Sequence, residues 1–241
     1  KKIILKHNNK KIVIENNSDK NFFIKQMNIS HKEIVLIRGS GIDLRKFKNK
    51  YNIKNKTVIL PARVIKEKGI EEFCLAVHAL RKKIFDWKYY VIGAIDYNKT
   101  SNFGFEKISI LEKKTGVKFL GFKKNILAFY KKAGIVCLPS YREGLSKTLI
   151  EASALGIPIV TTNAIGCVDA VINKKTAELC RIKDHNSLSK KLYKLIKNPD
   201  LRRIYSKNAI ILARSRYNIQ DTIKSNINIY NDLNKNDKKN L

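Results

Sequence analysis

A chain of 241 residues with 44% hydrophobic content can bury a sizeable core, either in one large α/β domain or in one domain plus part of another. Fifty Lys and Arg against 20 Asp and Glu give a formal net charge of +30, which favours polyanions: nucleic acid, an anionic membrane surface or phosphate-bearing substrates. Lysines are spread along the whole chain, which argues against a clustered nucleic-acid footprint, and no apolar run approaches the 18 residues of a transmembrane helix.

Residues 11–15 read as a strand, and Ser18 and Asp19 cap a helix through Met27 with Phe22, Phe23 and Ile24 on its apolar side. A second strand over 33–37 runs into Gly39, Ser40 and Gly41. Glycines on both sides of Ser40 let exposed amides approach a ligand; an ordinary tight turn between domains reads equally well. The third strand, 56–61, leads through Arg63, Lys66, Lys68 and Gly69 to an amphipathic helix over 70–83. Cations at a strand-to-helix turn, with helix N–H groups behind them, suit an anionic group. Arg63 can grip a phosphate through two N–H bonds and Lys68 can act as a point charge, whereas Lys66 reads as solvated.

The fourth strand, 87–92, ends at Gly93 and a polar loop to about Gly104. Then come a helix over 105–114, a strand over 117–120 broken by Gly121 and Phe122, and a helix over 126–132 capped by Asn125. Residues 134–138 form a buried strand ended by Pro139. A loop with Glu143 and Gly144 follows, then a helix of about three turns with Glu151 near its middle, closed by Gly156 and Pro158. The next strand covers 157–161. A carboxylate at the mouth of such a unit sits where open α/β sheets bind ligands, beyond the carboxyl ends of the strands. Residues 166–171 suggest a short helix and 177–180 an edge strand. Further helices run from Asp184 to Lys197, from Pro199 to about Arg214, and from Ile219 to Leu233, and the charged tail after it is expected to be disordered.

Strands alternating with helices from 56 to 180 predict an α/β fold, a doubly wound parallel sheet of about six strands. Residues 1–45 are too few for a domain and read as the remnant of a partner domain and its linker. The sheet domain then covers 46–215, a helix over 216–233 crosses back to the partner, and 234–241 is the tail. With Lys1 at its start and its one Met at position 27, the chain reads as a fragment or trimmed product. Cys74, Cys137, Cys167 and Cys180 form no CxxC pair and have no His at metal spacing, so buried free thiols in a reducing, cytoplasmic setting are expected.

Arg63 with Lys68 and Gly69, then Gly121 and Phe122, then Glu143 and Gly144 with Glu151 and the Gly156-Ile157-Pro158 turn, together resemble retaining glycosyltransferases of family 4 over nearly the whole chain. The sharpest part is the E-x7-E pair from Glu143 to Glu151 in its Pro139-to-Ala152 frame. The resemblance implies a GT-B fold, two Rossmann-like domains facing across a cleft, of which this chain would hold the C-terminal, donor-binding one. It implies that Arg63 and Lys68 neutralise the donor diphosphate, together with the amides of Gly144, Leu145 and Ser146, and that Glu143 contacts the donor sugar. Glu151 would accept from the ribose hydroxyls, Phe122 and Lys123 would border the base, and Gly39, Ser40 and Gly41 would sit at the cleft.

No metal and no cofactor is implied, since the cations do a metal's work and no Asp-x-Asp motif is present. Gly93, Asp96 and Asn98 followed by Gly121 and Phe122 look most like bacterial enzymes of capsule, lipopolysaccharide and lipid-linked oligosaccharide synthesis. Such an enzyme would transfer a hexosyl or N-acetylhexosaminyl group with retention from a nucleotide sugar, UDP-linked above all, to a lipid-linked or polysaccharide acceptor. It would work in the cytoplasm, peripherally at the anionic inner face of the cytoplasmic membrane, without a specific nucleic-acid partner. The other readings are an inactive remnant that only binds nucleotide sugar, a basic polyanion-binding protein, and another GT-B enzyme such as an epimerase or phosphorylase relative. Three departures stand out: Ala62 where Gly is common, Ser146-Lys147 in place of Pro-Arg, and Asn173 to Ala177 in place of a glycine-rich hairpin, which predicts a distorted edge strand. His7 and His31 match no catalytic motif.

Overall fold

The computed structural model describes residues 9–48, 51–95 and 103–239, with side chains to residue 235. Of the positions singled out above, Lys1, His7, Asp96 and Asn98 lie outside the described residues.

The N-terminal unit is a parallel pair, β1 (Ile12–Ile14) and β2 (Ile34–Leu36), joined through α1 (Asn17–Met27). Its small core is Ile14, Ile29 and Ile34. The cap of α1 is Asn16, not Ser18 or Asp19. Asn16 is extended at φ −141° and its side chain accepts from the Asp19 amide at 2.7 Å, so the helix starts earlier than the sequence suggests.

The main sheet follows the βα alternation. β3 (Thr57–Pro61), α2 (Ile70–Arg81), β4 (Lys88–Ile92), α3 (Phe105–Thr115) and β5 (Lys118–Phe119) build one half. α4 (Ile126–Tyr130), β6 (Ile135–Leu138), α5 (Lys147–Ala154), β7 (Ile159–Thr162) and β8 (Ala177–Cys180) build the other. The order is β5-β4-β3-β6-β7-β8 with all pairs parallel, the Rossmann-like winding whose direction reverses between β3 and β6. Helices cover both faces, which is why Val58 to Leu60 and Ile135 to Cys137 are continuous apolar runs without polar alternation, each at most 1% exposed. All four cysteines are buried free thiols, and burial pushes Cys74 and Cys180 up to about 12, so neither is reactive.

Three expectations are corrected. β5 is only two residues long: Leu120 follows it, and Gly121 then turns the chain away with a left-handed φ of +67°. β8 is regular over all four residues against β7: Lys174 itself adopts a φ of +57°, and its amide bonds Ala177 O at 2.8 Å, so a lysine does the turning expected of glycine. The chain closes with α6 (His185–Lys197), α7 (Pro199–Arg216) and α8 (Ile219–Lys239). α8 continues to Lys239 where disorder was expected after Leu233. Residues 234–239 contain neither Gly nor Pro, and lysines at a helix C-terminus favour its dipole.

The edge strand β8 carries Glu178, fully buried, which accepts from Lys191 at 2.9 Å, Lys194 at 2.5 Å and Tyr205 at 2.7 Å. Burial pushes its carboxyl up, but the bonds from Lys194, Tyr205 and Lys191 together hold it below the ordinary value of 4.5. A depressed carboxylate gives stability that is present above its unfolded value and lost as pH falls through the folded one. Tyr205→Phe removes one of these bonds and is expected to cost about 1 kcal/mol at neutral pH. Urea titrations at pH 7 and pH 4 should show the variant losing less stability on acidification than the wild type.

Candidate functional site

The two halves of the sheet meet at the carboxyl ends of β3 and β6, and glycine contacts bring the following turns together. Gly69 has a φ of +68°, and a Cβ placed on it would lie 2.1 Å from Pro139 O. The Tyr141 amide and Ser140 Oγ both donate to Glu67 O, at 2.9 and 3.1 Å. The turn after β3 is thereby stitched to the loop after β6. Lys68 Nζ then stands 2.6 Å from Glu143 Oε1, with the two side chains only 19% and 14% exposed. Behind Glu143, its amide donates to Ile165 O at 3.0 Å. Gly166, at φ +77°, leaves room for the Glu143 carbonyl, 2.2 Å from where a Cβ would be.

Gly144, Leu145 and Ser146 lead into α5. Ser146 is its N-cap but makes no capping bond through its side chain, and among the described residues no hydrogen bond uses the amides of these three. Free amides at a helix N-terminus, beside a lysine, form an anion-binding corner. Glu151 lies in the second turn of α5 and is half-buried. Burial raises its carboxyl above 4.5, partly offset by Lys147 and by a hydrogen bond from Tyr130. A raised carboxyl means the folded state holds more proton than the unfolded one above 4.5, so this group's contribution to stability falls as pH rises through that window. Glu151→Gln should therefore leave stability at pH 7 unchanged or slightly higher. If the carboxylate accepts ribose hydroxyls, the same variant should weaken UDP binding about tenfold by calorimetry. Equal UDP affinity would remove Glu151 from the site.

The other candidates are placed as follows. Arg63 is exposed at the end of β3. Gly93 joins the neighbouring strand ends: its amide donates to Gly121 O at 3.0 Å, and a Cβ on it would lie 1.9 Å from Ala62 O. Phe122, 74% exposed, and Lys123, also exposed, follow Gly121 at the same carboxyl end of the sheet as Arg63. Gly39 is buried against Leu145, and Ser40 is exposed beside it. Gly41, buried at φ +65°, faces Ile219 and Thr222 of α8, so it serves the turn between Ile37 and the α7–α8 joint and offers no surface to a ligand. His31 sits in a 3-10 turn of the N-terminal unit capped by Ser30.

Sequence reasoning missed the way the N-terminal unit closes on this loop. Arg142 Nη2 reaches Asp19 at 2.6 Å, Asn16 Nδ2 donates to Gly144 O at 3.0 Å, and the Asn17 amide donates to Asp169 at 3.3 Å. The Glu15 carboxylate lies against Gly144, so that a Cβ there would approach Oε2 to 2.2 Å. Cap-forming residue types at 16–19 carry no sign of these long-range partners.

A sequence profile described as "Glycosyl transferases group 1" matches residues 42–211. The chain belongs to this family. The candidate residues Arg63, Lys68, Glu143 and Glu151 all fall inside the matched span. Among curated relatives of this group 1 chain, the N,N'-diacetylbacillosaminyl-diphospho-undecaprenol alpha-1,3-N-acetylgalactosaminyltransferase of Campylobacter jejuni is 28% identical over 201 residues, covering 78% of this chain and 51% of that protein. The capsular polysaccharide biosynthesis glycosyltransferase CapM of Staphylococcus aureus is 26% identical over 185 residues, covering 74% and 47%. The chain spans about half the length of the curated relatives it matches. Among solved structures, a glycosyltransferase from Rickettsia africae superposes with a TM-score of 0.83 at 21% identity, covering 97% of this chain and 65% of that one. Anabaena HepE in complex with UDP superposes at 0.81 and 17%, covering 92% and 64%. At these identities the likeness shows the fold alone, the Rossmann-like α/β half of a GT-B glycosyltransferase.

Proposed function

We propose that this chain is the donor-binding half of a glycosyltransferase. It takes a hexosyl or N-acetylhexosaminyl group from a UDP-linked sugar to a lipid-linked or polysaccharide acceptor, with retention, in cell-surface glycan synthesis. The observation that carries this reading is the meeting of Lys68 and Glu143, 75 residues apart, at 2.6 Å beside the free amides that open α5. The named activities of the Campylobacter and Staphylococcus relatives, and the UDP held by Anabaena HepE, support the substrate classes.

In this reading Arg63 and Lys68 offset the charge that builds on the departing diphosphate, and the amides of Gly144, Leu145 and Ser146 hold the same phosphates as preorganised donors. Glu143 contacts the donor sugar near its reacting carbon, Glu151 accepts from the ribose, and Phe122 with Lys123 borders the base. Arg63 and Lys68 supply the positive charge, so the reading requires no metal ion or cofactor. The chain works at the inner face of the cytoplasmic membrane, where a lipid-linked acceptor is found.

Calorimetric titration with UDP, GDP and UDP-sugars tests the proposal. The wild type should bind UDP and UDP-sugars in preference to GDP, and Arg63→Ala should bind them at least about tenfold more weakly. A wild type that binds no nucleotide sinks it.

A further inference from the structure

A cavity of about 1070 Å³ opens between residues 44–48 and 51–53 on one side and α7 on the other, and none of Arg63, Lys68, Glu143 or Glu151 lines it. Its apolar floor includes Leu44, Phe47 and Ile210, and its rim carries the exposed cations Lys48, Lys207 and Arg214. Two further rim cations are already engaged: Arg45 with Asp43, and Arg203 with Asp200. Among the described residues no ion pair joins Lys48, Lys207 or Arg214 to a carboxylate. The wall is preformed. Buried Arg202 donates to Ile53 O at 3.1 Å, and Tyr51 Oη donates to Gly134 O at 2.9 Å, which holds the 51–53 segment against the body of the sheet.

Beside the rim, α7 presents Ile204, Lys207, Ile211 and Arg214, spaced by three or four residues and so on one helical stripe. The two isoleucines are 54% and 65% exposed. Cations alternating with protruding aliphatic side chains are the pattern of a surface that lies in the headgroup layer of a bilayer.

We propose that this groove and the α7 stripe seat an anionic phospholipid of a membrane surface. The lipid phosphate lies on Lys48, Lys207 and Arg214, its glycerol and upper acyl chain lie on Leu44, Phe47 and Ile210, and Ile204 with Ile211 enters the interfacial layer. A free phosphate would use the cations and leave the apolar floor wet, whereas a lipid uses both. The proposal rests on the membrane-surface part of the function above and assigns it to a particular face; nucleotide binding at the donor site does not depend on it.

The test is sedimentation of this chain with vesicles of pure phosphatidylglycerol or pure phosphatidylcholine, alongside UDP titration of every variant. The wild type should bind phosphatidylglycerol and not phosphatidylcholine. K207E/R214E should lose at least about tenfold in vesicle affinity, while K113E/K114E, an equal charge reversal on α3, should change it less than about threefold. In Phe47→Trp, phosphatidylglycerol brominated on its acyl chains should quench the new tryptophan beyond the wild-type signal of Trp87. The seat is overturned if both double variants lose affinity equally, which means diffuse charge. It is also overturned if the wild type binds neither vesicle or both alike, if glycerol 3-phosphate displaces the vesicles, or if position 47 is not quenched. Failure of the donor reading shows separately, as loss of UDP binding in the wild type with vesicle binding intact.

Discussion

Lys68→Ala is expected to weaken UDP binding by about 100-fold or more. Two effects act in the same direction. In the proposed donor site the variant would lose a charge-assisted contact to the diphosphate, of the kind worth about 1.5–3 kcal/mol. It also strands Glu143, whose carboxylate now pairs with Lys68 at 2.6 Å in a site only 14% exposed on that side. An unpaired carboxylate facing an incoming diphosphate repels it, and at an effective dielectric of about 20 two unit charges roughly 5 Å apart cost about 3 kcal/mol. Glu143→Gln should act with the opposite sign on UDP: it releases Lys68 and removes the repulsion, so UDP affinity stays level or rises several-fold, while sugar transfer by an enzyme containing this site is lost. K68A/E143Q should recover part of the affinity lost in Lys68→Ala, since the two side chains form one unit. Calorimetry on the four proteins gives the cycle. A Lys68→Ala loss below tenfold, or an equal loss in Glu143→Gln, would mean that the pair is a structural tie and no part of an anion site.

Gly69→Ala should be strongly damaging for so small a change, costing roughly 3 kcal/mol of folding stability. About 1 kcal/mol comes from holding a Cβ residue at a left-handed φ of +68°. The rest comes from contact, because the new Cβ would fall 2.1 Å from Pro139 O and 2.8 Å from Pro139 Cγ. Neither neighbour is the free end of a flexible side chain; both belong to Pro139, directly after β6, whose backbone is held in the centre of the sheet. Relief has to come from the turn that carries Lys68, so UDP affinity should fall along with stability. Gly104→Ala is the control. That glycine has nothing within 4 Å of its would-be Cβ and a φ of −65°, and its replacement should change stability by no more than about 0.5 kcal/mol. Urea unfolding of both variants decides the matter, and a Gly69→Ala cost similar to the control would show that the two turns are not packed as described.

Much of the fold was legible because it is written in short-range terms. Apolar β-branched runs marked the central strands. Asn125 and Asp184 cap α4 and α6 through their side chains, as their positions suggested, and Pro199 opens α7. The misreadings also have local causes. Ser18 and Asp19 are good caps by type, but Asn16 reaches the Asp19 amide first. Lys174 takes a left-handed turn that residue preference would give to glycine, and the pairing of β8 with β7 outweighs that preference. The charged residues after Leu233 lack an apolar face, yet a helix already nucleated extends through them at little cost.

For the candidate site, residue types and spacing, read with the family resemblance, nominated Arg63, Lys68, Glu143 and Glu151. They could not show that Lys68 already holds Glu143, that Gly41 serves the α8 joint, or that Asn16, Asp19 and Glu15 come from the first strand and helix to close on residues 142–144. The alternation of strands and helices, and with it a parallel α/β sheet, is readable from short stretches, because hydrophobic period, caps and breakers act within a few residues. That the turn after β3 faces the loop after β6 emerges from the folded chain alone. That contact depends on the winding reversing between two strands more than 70 residues apart and on Gly69 letting two backbones touch, and neither is a property of any local stretch.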